Sequence, residues 1–533
     1  MQKAKKIQKK YLIRGIRYLK NHNLKSLFLK TSERLYRDRV EQGYDEWVKA
    51  RQDKEEALKA QRAYIFENRP KFSILVPTFN TPEKFLREMI ESVLNQSYDN
   101  VELCIADGST KEDTQRIIQE YQKKDTKIKY KHLDENRGIS ENTNEALKLA
   151  TGDFIGLFDH DDVLELSALF HVMQVLQRHP KADIIYTDED KMDGETGIFF
   201  GPNFKPDFDL ELLCTNNYIC HFFLVRTEIA RRIGGFRKEY DGAQDYDFIF
   251  RCVESTMEIY HIPKILYHWR THNASTAAAP ESKMYAYEAG RRAVESHFQR
   301  QKQTVQVQTT ENYGFFHGRV SGSSRENIKV LRYNEKQRGE DLNRLAETTK
   351  AQVLIFVPEQ AEFITRDYEE IFSGKCLQHG IGAVGCLQLY RKRVAEAGLV
   401  LHPEKIVETY FGGYSKKRSG YLHRLKLGRS VSAVSTVFAI EKDKLRSVDG
   451  FVPALSPKAA QIELCLRLLE AGYCNVYTPL VSAWWYQRNP AGMFTEQDME
   501  YVKEYYRHQL KEDRYYNPSC EQEQYEYGLR RNL

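Results

Sequence analysis

The sequence predicts an α/β protein built on a doubly wound, nucleotide-binding sheet, preceded by a basic helical segment and followed by a second, eroded copy of the same architecture. Three observations predict it. Short apolar runs alternate with amphipathic stretches from Lys71 to Leu149, the strand, helix, strand pattern of a parallel sheet. These runs end in Pro77-Thr-Phe-Asn80, Asp107-Gly-Ser-Thr110 and Asp159-His-Asp-Asp162, and open α/β sheets bind ligands at the carboxyl ends of their strands. Motifs of the first half then return, altered, beyond residue 328.

Residues 1 to about 66 read as helices, with Ile7, Leu12, Ile16 and Leu19 at helical spacing. Residues 1 to 30 hold ten Lys or Arg and no Asp or Glu, so the net charge of +5 divides into a strongly basic head and a body at −5. Such a head suits an anionic membrane surface or a packed position on its own protein. No aromatic-basic module follows it to recognise nucleic acid.

Strands are expected at Phe72 to Val76, Val101 to Ala106 and Ile128 to His132, and helices at Glu83 to Leu94, Glu112 to Tyr121 and Glu141 to Leu149. The first strand is not followed by GxGxxG, which argues against a dinucleotide site of the usual kind. The organising stretch is Thr151 to Asp162, where the apolar run Phe154 to Phe158 leads into three carboxylates. Side chains alternate along a strand, so Asp159 and Asp161 are expected on one side, able to converge on a divalent cation. Asp162-Val-Leu-Glu165 fits a capping box for a helix over Leu164 to Leu176.

The run FSILVPTFNTPEKFLREMIESVLNQSYDNVELCIADGST, followed by NRGISENTNEALKLATGDFIGLFDHDD, resembles the family 2 glycosyltransferases of the GT-A fold. Within that family it is most similar to bacterial enzymes that build surface polysaccharides, rhamnosyltransferases among them. The resemblance runs from about Lys71 to Phe298. It implies that Pro77, Thr78, Asn80, Asp107, Arg137 and Asp159 hold the donor nucleotide, with Asp107 reaching the base. It also implies that Asp159-His-Asp161 binds Mg²⁺ or Mn²⁺ against the donor diphosphate.

The strand Ala182 to Thr187 ends in Asp188-Glu-Asp190, where Asp188, Glu189 and Asp190 are candidates to face an acceptor or support the metal. Gly242-Ala-Gln-Asp245 opens a helix through Cys252, and the family pattern makes Asp245 the general base, with Gln244 where an acidic residue is usual. In Leu266-Tyr-His-Trp-Arg-Thr-His272, His268 is expected to complete the metal shell, with His272 as the alternative, and Arg270 to contact the diphosphate. Ser275 and Thr276 are placed on a loop that closes over the donor.

After a polar linker, Asp341-Leu-Asn-Arg-Leu-Ala346 echoes Glu141-Asn-Thr-Asn-Glu-Ala146, and Gln352 to Val357 echoes Asp153 to Phe158. Val448-Asp-Gly-Phe451 and Ile462 to Arg467 match Ile233-Gly-Gly-Phe236 and Tyr246 to Arg251, which sets Gln461 opposite Asp245. The acidic motif is replaced by Pro358-Glu-Gln-Ala-Glu362, and the two opening nucleotide-binding strands are expected to be missing. The expected division is a basic head (1–66), a catalytic GT-A domain (67–300), a linker (301–327), a degenerate GT-A-like domain (328–490) and a helical tail (491–533).

No apolar run approaches the roughly 18 residues that cross a bilayer, and the nine cysteines lack metal-ligand spacing, so a reducing cytoplasm is expected, with the head on the membrane's cytoplasmic face. The resemblance implies an inverting, metal-dependent glycosyltransferase moving a sugar from a UDP- or dTDP-sugar to a growing, lipid-linked bacterial surface glycan. The alternative is a noncatalytic sugar- or nucleotide-binding scaffold of a polysaccharide assembly complex. A nucleotidyltransferase would need a Gly-rich phosphate loop after the first strand, and Pro77-Thr-Phe-Asn80 is not one.

Overall fold

Two mixed sheets organise the chain, and the second repeats the pairing of the first. The computed structural model describes residues 41–272, 284–486, 494–523 and 525–531. The basic helix expected within residues 1 to 30 and the loop at Ser275 and Thr276 lie outside the described residues. Among the described residues, no helix is long and apolar enough to cross a membrane.

The first sheet comprises β1 (Phe72–Thr78), β2 (Val101–Asp107), β3 (Ile128–His132), β4 (Phe154–Leu157), β5 (Val163–Leu164), β6 (Ile184–Asp193), β7 (Phe199–Asn203), β8 (Phe223–Arg226) and β9 (Ile259–Thr271). Their order is β3-β2-β1-β4-β8-β6-β9-β5, with β7 on β6. The strands β3, β2, β1 and β4 run parallel, and β8 enters antiparallel between β4 and β6. Alternation sends Phe72, Ile74 and Val76 of β1 into one core and Leu75 into the other. Both faces are therefore apolar, which is why these strands read as continuous hydrophobic runs.

The second sheet is built from β12 (Ile328–Tyr333), β13 (Val353–Pro358), β14 (Ala361–Phe363), β15 (Ile381–Tyr390), β16 (Arg393–Glu396), β19 (Arg429–Val431), β20 (Phe438–Glu441) and β21 (Cys474–Trp485). A hairpin of β10 (Val305–Thr309) and β11 (Phe316–Val320) precedes it, and a second hairpin, β17 (Leu399–His402) and β18 (Ile406–Thr409), stands apart. The parallel pairs β1/β4 and β6/β9 recur as β12/β13 and β15/β21. The antiparallel β8 between β4 and β6 recurs as β20 between β13 and β15, and β14 closes the edge as β5 does. Side chains repeat as well. Asn144 brackets Phe236 through its backbone N–H and carbonyl, both at 2.8 Å, and Asn343 does the same to Phe451 at 2.9 and 2.8 Å.

Three expectations are corrected here. The second half does have an opening strand, because β12 stands in the place of β1; it is β2 and β3 that lack counterparts among the described residues. The capping box at Asp162 does not form: Val163 and Leu164 pair with β9, and the helix begins at Ala168. β6 runs through Asp193 rather than ending before Asp188, because β9 supplies a parallel partner along its whole length.

Candidate active site

The carboxyl ends of β1 and β2 form the expected donor side. Asn80 takes a left-handed backbone (φ 50°), its N–H donates to Ser109 Oγ at 2.7 Å, and its Oδ1 accepts from the Thr110 and Lys111 N–H groups. Thr78 donates to Asp107 Oδ1 at 3.0 Å, next to Pro77. Asp107 was expected to reach a base, but it is fully buried: Oδ1 serves Thr78 and the Ser109 N–H, and Oδ2 accepts from the Tyr130 hydroxyl at 3.1 Å. It orders the two loops, as a turn carboxylate does. Arg137 is half-exposed and pairs with Glu135 at 3.2 Å.

The acidic motif does not behave as a strand end. β4 stops at Leu157, and a turn at His160 and Asp161 separates the carboxylates. Asp159, 41% exposed, faces His221, whose Nε2 lies 3.9 Å from its Oδ2. Asp161 Oδ2 lies 2.9 Å from His272 Nε2. The two carboxylates thus sit on a turn and not on a strand. Asp162 is fully buried, accepting from the Tyr267 hydroxyl and, at 2.7 Å, from the Arg270 N–H. Burial, then the charges of Asp159 and Asp161, push its carboxyl well above the usual range.

His268, expected to complete the metal shell, is enclosed instead. Its ring nitrogens are taken by Asp190 Oδ1 and Glu165 Oε1, both at 2.6 Å, and it is 2% exposed. Burial opposes its charge, but Asp190 and then Glu165 outweigh it and push the imidazolium up to about 10. With both His268 nitrogens occupied, His272 is the histidine set against the acidic motif. Arg270 is likewise 2% exposed: Nε donates to the Asp161 carbonyl at 2.6 Å, and the guanidinium meets Glu88 and lies over Phe85. It braces the acidic turn rather than facing a diphosphate.

Asp188 and Asp190 do not open onto an acceptor. Asp188 is buried against His261 (2.9 Å), the Lys205 N–H and Asn517, and Asp190 against Tyr44 and His268. Glu189 comes nearer, accepting from the His221 N–H at 3.0 Å. Both neighbours are buried because β6 continues past them between β9 and β7.

Asp245 opens the helix Gln244–Val253 and accepts from Asn217 Nδ2 at 2.8 Å. Burial raises its carboxyl above the usual range, partly offset by the charge of His221. Asn217 and His221 were missed in the sequence. His221 lies two residues before β8, which pairs antiparallel with β4 in a register that puts Phe223 opposite Leu157. That register carries His221 alongside Asp159, and nothing local in the sequence reveals it.

Parallel strands feeding an acidic turn at β4, with an inserted antiparallel strand and a carboxylate-led helix beyond, define a GT-A glycosyltransferase fold. Residues 73–234 match the family described as Glycosyl transferase family 2, so the chain carries a domain of that family. The uncharacterized protein y4gI of Sinorhizobium fredii is 31% identical over 537 residues, 87% of this chain and 59% of its own length. The O-antigen biosynthesis protein RfbC of Myxococcus xanthus is 26% identical over 563 residues, 92% of this chain and 43% of its own. The chain thus spans about half the length of these curated relatives. Chondroitin synthase of Escherichia coli is 31% identical over 209 residues, 39% of this chain and 30% of its own. Among solved structures, S. aureus TarS 1-349 in complex with UDP-GlcNAc is similar at 24% identity and a TM-score of 0.35, covering 43% of this chain and 66% of that one.

Proposed function

We propose that this chain is an inverting, metal-dependent glycosyltransferase that moves one sugar from a UDP- or dTDP-sugar to a growing, lipid-linked bacterial surface polysaccharide. The observation that carries this reading is that one loop, Asn217 to His221, meets both carboxylates, Asn217 donating to Asp245 and His221 lying 3.9 Å from Asp159. The family 2 domain and the likeness to O-antigen and chondroitin proteins support it.

Asp245 is the base. Its raised carboxyl makes it a stronger proton acceptor than an ordinary aspartate. It accepts the acceptor hydroxyl's proton as that oxygen bonds to carbon 1 of the donor sugar. The bond from carbon 1 to the diphosphate oxygen breaks, the electron pair leaves with the nucleoside diphosphate, and a single displacement inverts the configuration.

Asp159, Asp161 and His272 would hold Mg²⁺ or Mn²⁺, and hard carboxylate oxygens with one imidazole fit either ion. Among the described residues, no group of three or more His, Cys, Asp or Glu stands close enough to hold an ion; Asp161 and His272 are the pair already set together, at 2.9 Å. A cation held there would offset the charge of the departing diphosphate. Residues 67–300 form the catalytic unit in this reading, and the basic head, residues 1–30, contacts the membrane that carries the acceptor.

The test is nucleoside diphosphate release from a panel of UDP- and dTDP-sugars, with Mn²⁺ or Mg²⁺ and with chelator, for the wild type and Asp159→Asn. Release from one donor, lost with chelator and in the variant, is expected. A chain that binds no nucleotide by calorimetry, even with metal, is instead a scaffold.

A further inference from the structure

The base and the acidic turn stand on different elements, and one loop ties them together. Asn217 uses both ends of its amide: Nδ2 donates to Asp245, and Oδ1 accepts from the Cys220 N–H at 3.3 Å. At the loop's other end, His221 stacks on Tyr267 with ring centroids 4.7 Å apart and planes 10° apart. Tyr267 is bonded in turn to Asp162. Between them Cys220 adopts φ 40°, a backbone that a non-glycine residue keeps only when its surroundings hold it.

What holds it is Lys205. Its fully buried ammonium donates to the Ile219 carbonyl at 2.6 Å and to the His221 carbonyl, with Glu189 at 3.5 Å. Lys205 is itself gripped from distant parts of the chain. Asn517, in the C-terminal segment, donates to Asp188 Oδ2 at 2.7 Å and to the Lys205 carbonyl at 2.9 Å, and Asp188 Oδ1 accepts the Lys205 N–H. From the second half, the Tyr421 hydroxyl accepts from the Phe204 N–H at 2.9 Å and donates to the Pro202 carbonyl at 2.7 Å, and Arg424 donates to the Phe204 carbonyl at 2.7 Å. Asp209, closing the same segment, accepts from the Ser430 N–H and hydroxyl.

We propose that the second half and the C-terminal segment form a clamp that sets the spacing between Asp245 and Asp159, acting through Tyr421, Asn517 and Lys205 on the loop Asn217 to His221. Tyr421, Asn517 and Lys205 are positioning residues: they touch neither donor nor acceptor and act through the loop. This gives the degenerate sheet a task that needs no catalytic group of its own. The inference rests on the glycosyltransferase reading.

The test uses the full chain and the donor found in the panel. Lys205→Met removes a buried cation and risks the fold, so the variants are Asn517→Ala and Tyr421→Phe, which are neutral and small. Misplacing reacting groups by about 1 Å costs on the order of 100-fold in rate. The expected result is a kcat lowered about 10-fold to 100-fold, with donor KM and nucleoside diphosphate Kd within about twofold of wild type and an intact unfolding transition. An unchanged kcat in both variants overturns the clamp, as does a loss of kcat matched by the loss of donor affinity or of folded protein. A wild type that turns over no donor overturns the glycosyltransferase reading, and this inference with it.

Discussion

His272 Nε2 lies 2.9 Å from Asp161 Oδ2, just past the end of β9, whereas both nitrogens of His268, four residues earlier and within that strand, are spent on Asp190 and Glu165. The two histidines therefore have separable roles. His272→Ala should raise the Mn²⁺ concentration needed for half-maximal nucleoside diphosphate release by about tenfold or more, and His268→Gln should leave it unchanged. A metal titration of the two variants checks this, and the opposite pattern would return the ligand role to His268.

Asp245→Asn keeps the shape of the base but removes its proton acceptor. The variant should lose about 100-fold to 10,000-fold in kcat while binding the nucleoside diphosphate as the wild type does. Steady-state rates with isothermal calorimetry on the same preparation separate the two quantities.

The pH profile follows from the same residue. A base works deprotonated, and burial raises the Asp245 carboxyl above its usual range, so activity should fall as pH drops through that raised value. The acid limb of kcat/KM should therefore lie above the ordinary aspartate value of about 3.9. A limb at or below that value would mean that another group limits the rate.

His268 makes a stability prediction. Its folded pKa of about 10 exceeds the unfolded value of about 6.5. Its contribution is fully present below pH 6.5 and is lost as pH rises through about 10. Melting temperature should decline from pH 7 to pH 10 in the wild type, and His268→Gln should be less stable at pH 7 with a shallower decline.

The repeated bracket around Phe236 and Phe451 predicts equal sensitivity in the two halves. Asn144→Ala and Asn343→Ala each leave a backbone N–H and carbonyl unpaired, at a cost of about 1 to 3 kcal/mol. Gly235 and Gly450, at φ 68° and 70°, should resist alanine because the backbone is left-handed there and a Cβ would run into the Asn144 or Asn343 amide oxygen. Urea unfolding of the four variants checks this, and a neutral Asn343→Ala would mean that the second half does not rely on the inherited turn.

Much of the fold was legible because it follows from local periodicity. The runs FSILV, VELCIA and ADIIYT are buried on both faces and read as strands without any partner in view. Internal repetition was legible too, since Asn343 and the Val448 turn retain the residues that their geometry demands. The boundaries that failed, at Asp162 and Asp188, are those at which β9 supplies a partner along the chain. A strand's length is fixed by its neighbour, and the neighbour lies some eighty to one hundred residues away.

The sequence by itself determined the class of sheet, the acidic turn at the end of β4 and the carboxylate that leads the Gln244–Val253 helix, because these are set by pattern and residue type. Tertiary structure alone decided which histidine meets Asp161, which carboxylates are buried, and that His221 and Asn217 join Asp159 to Asp245. Those outcomes depend on register and on contacts with segments as distant as Asn517. Desolvation and hydrogen-bond partners, which determine whether a carboxylate or imidazole is free to act, exist only once the sheets have closed.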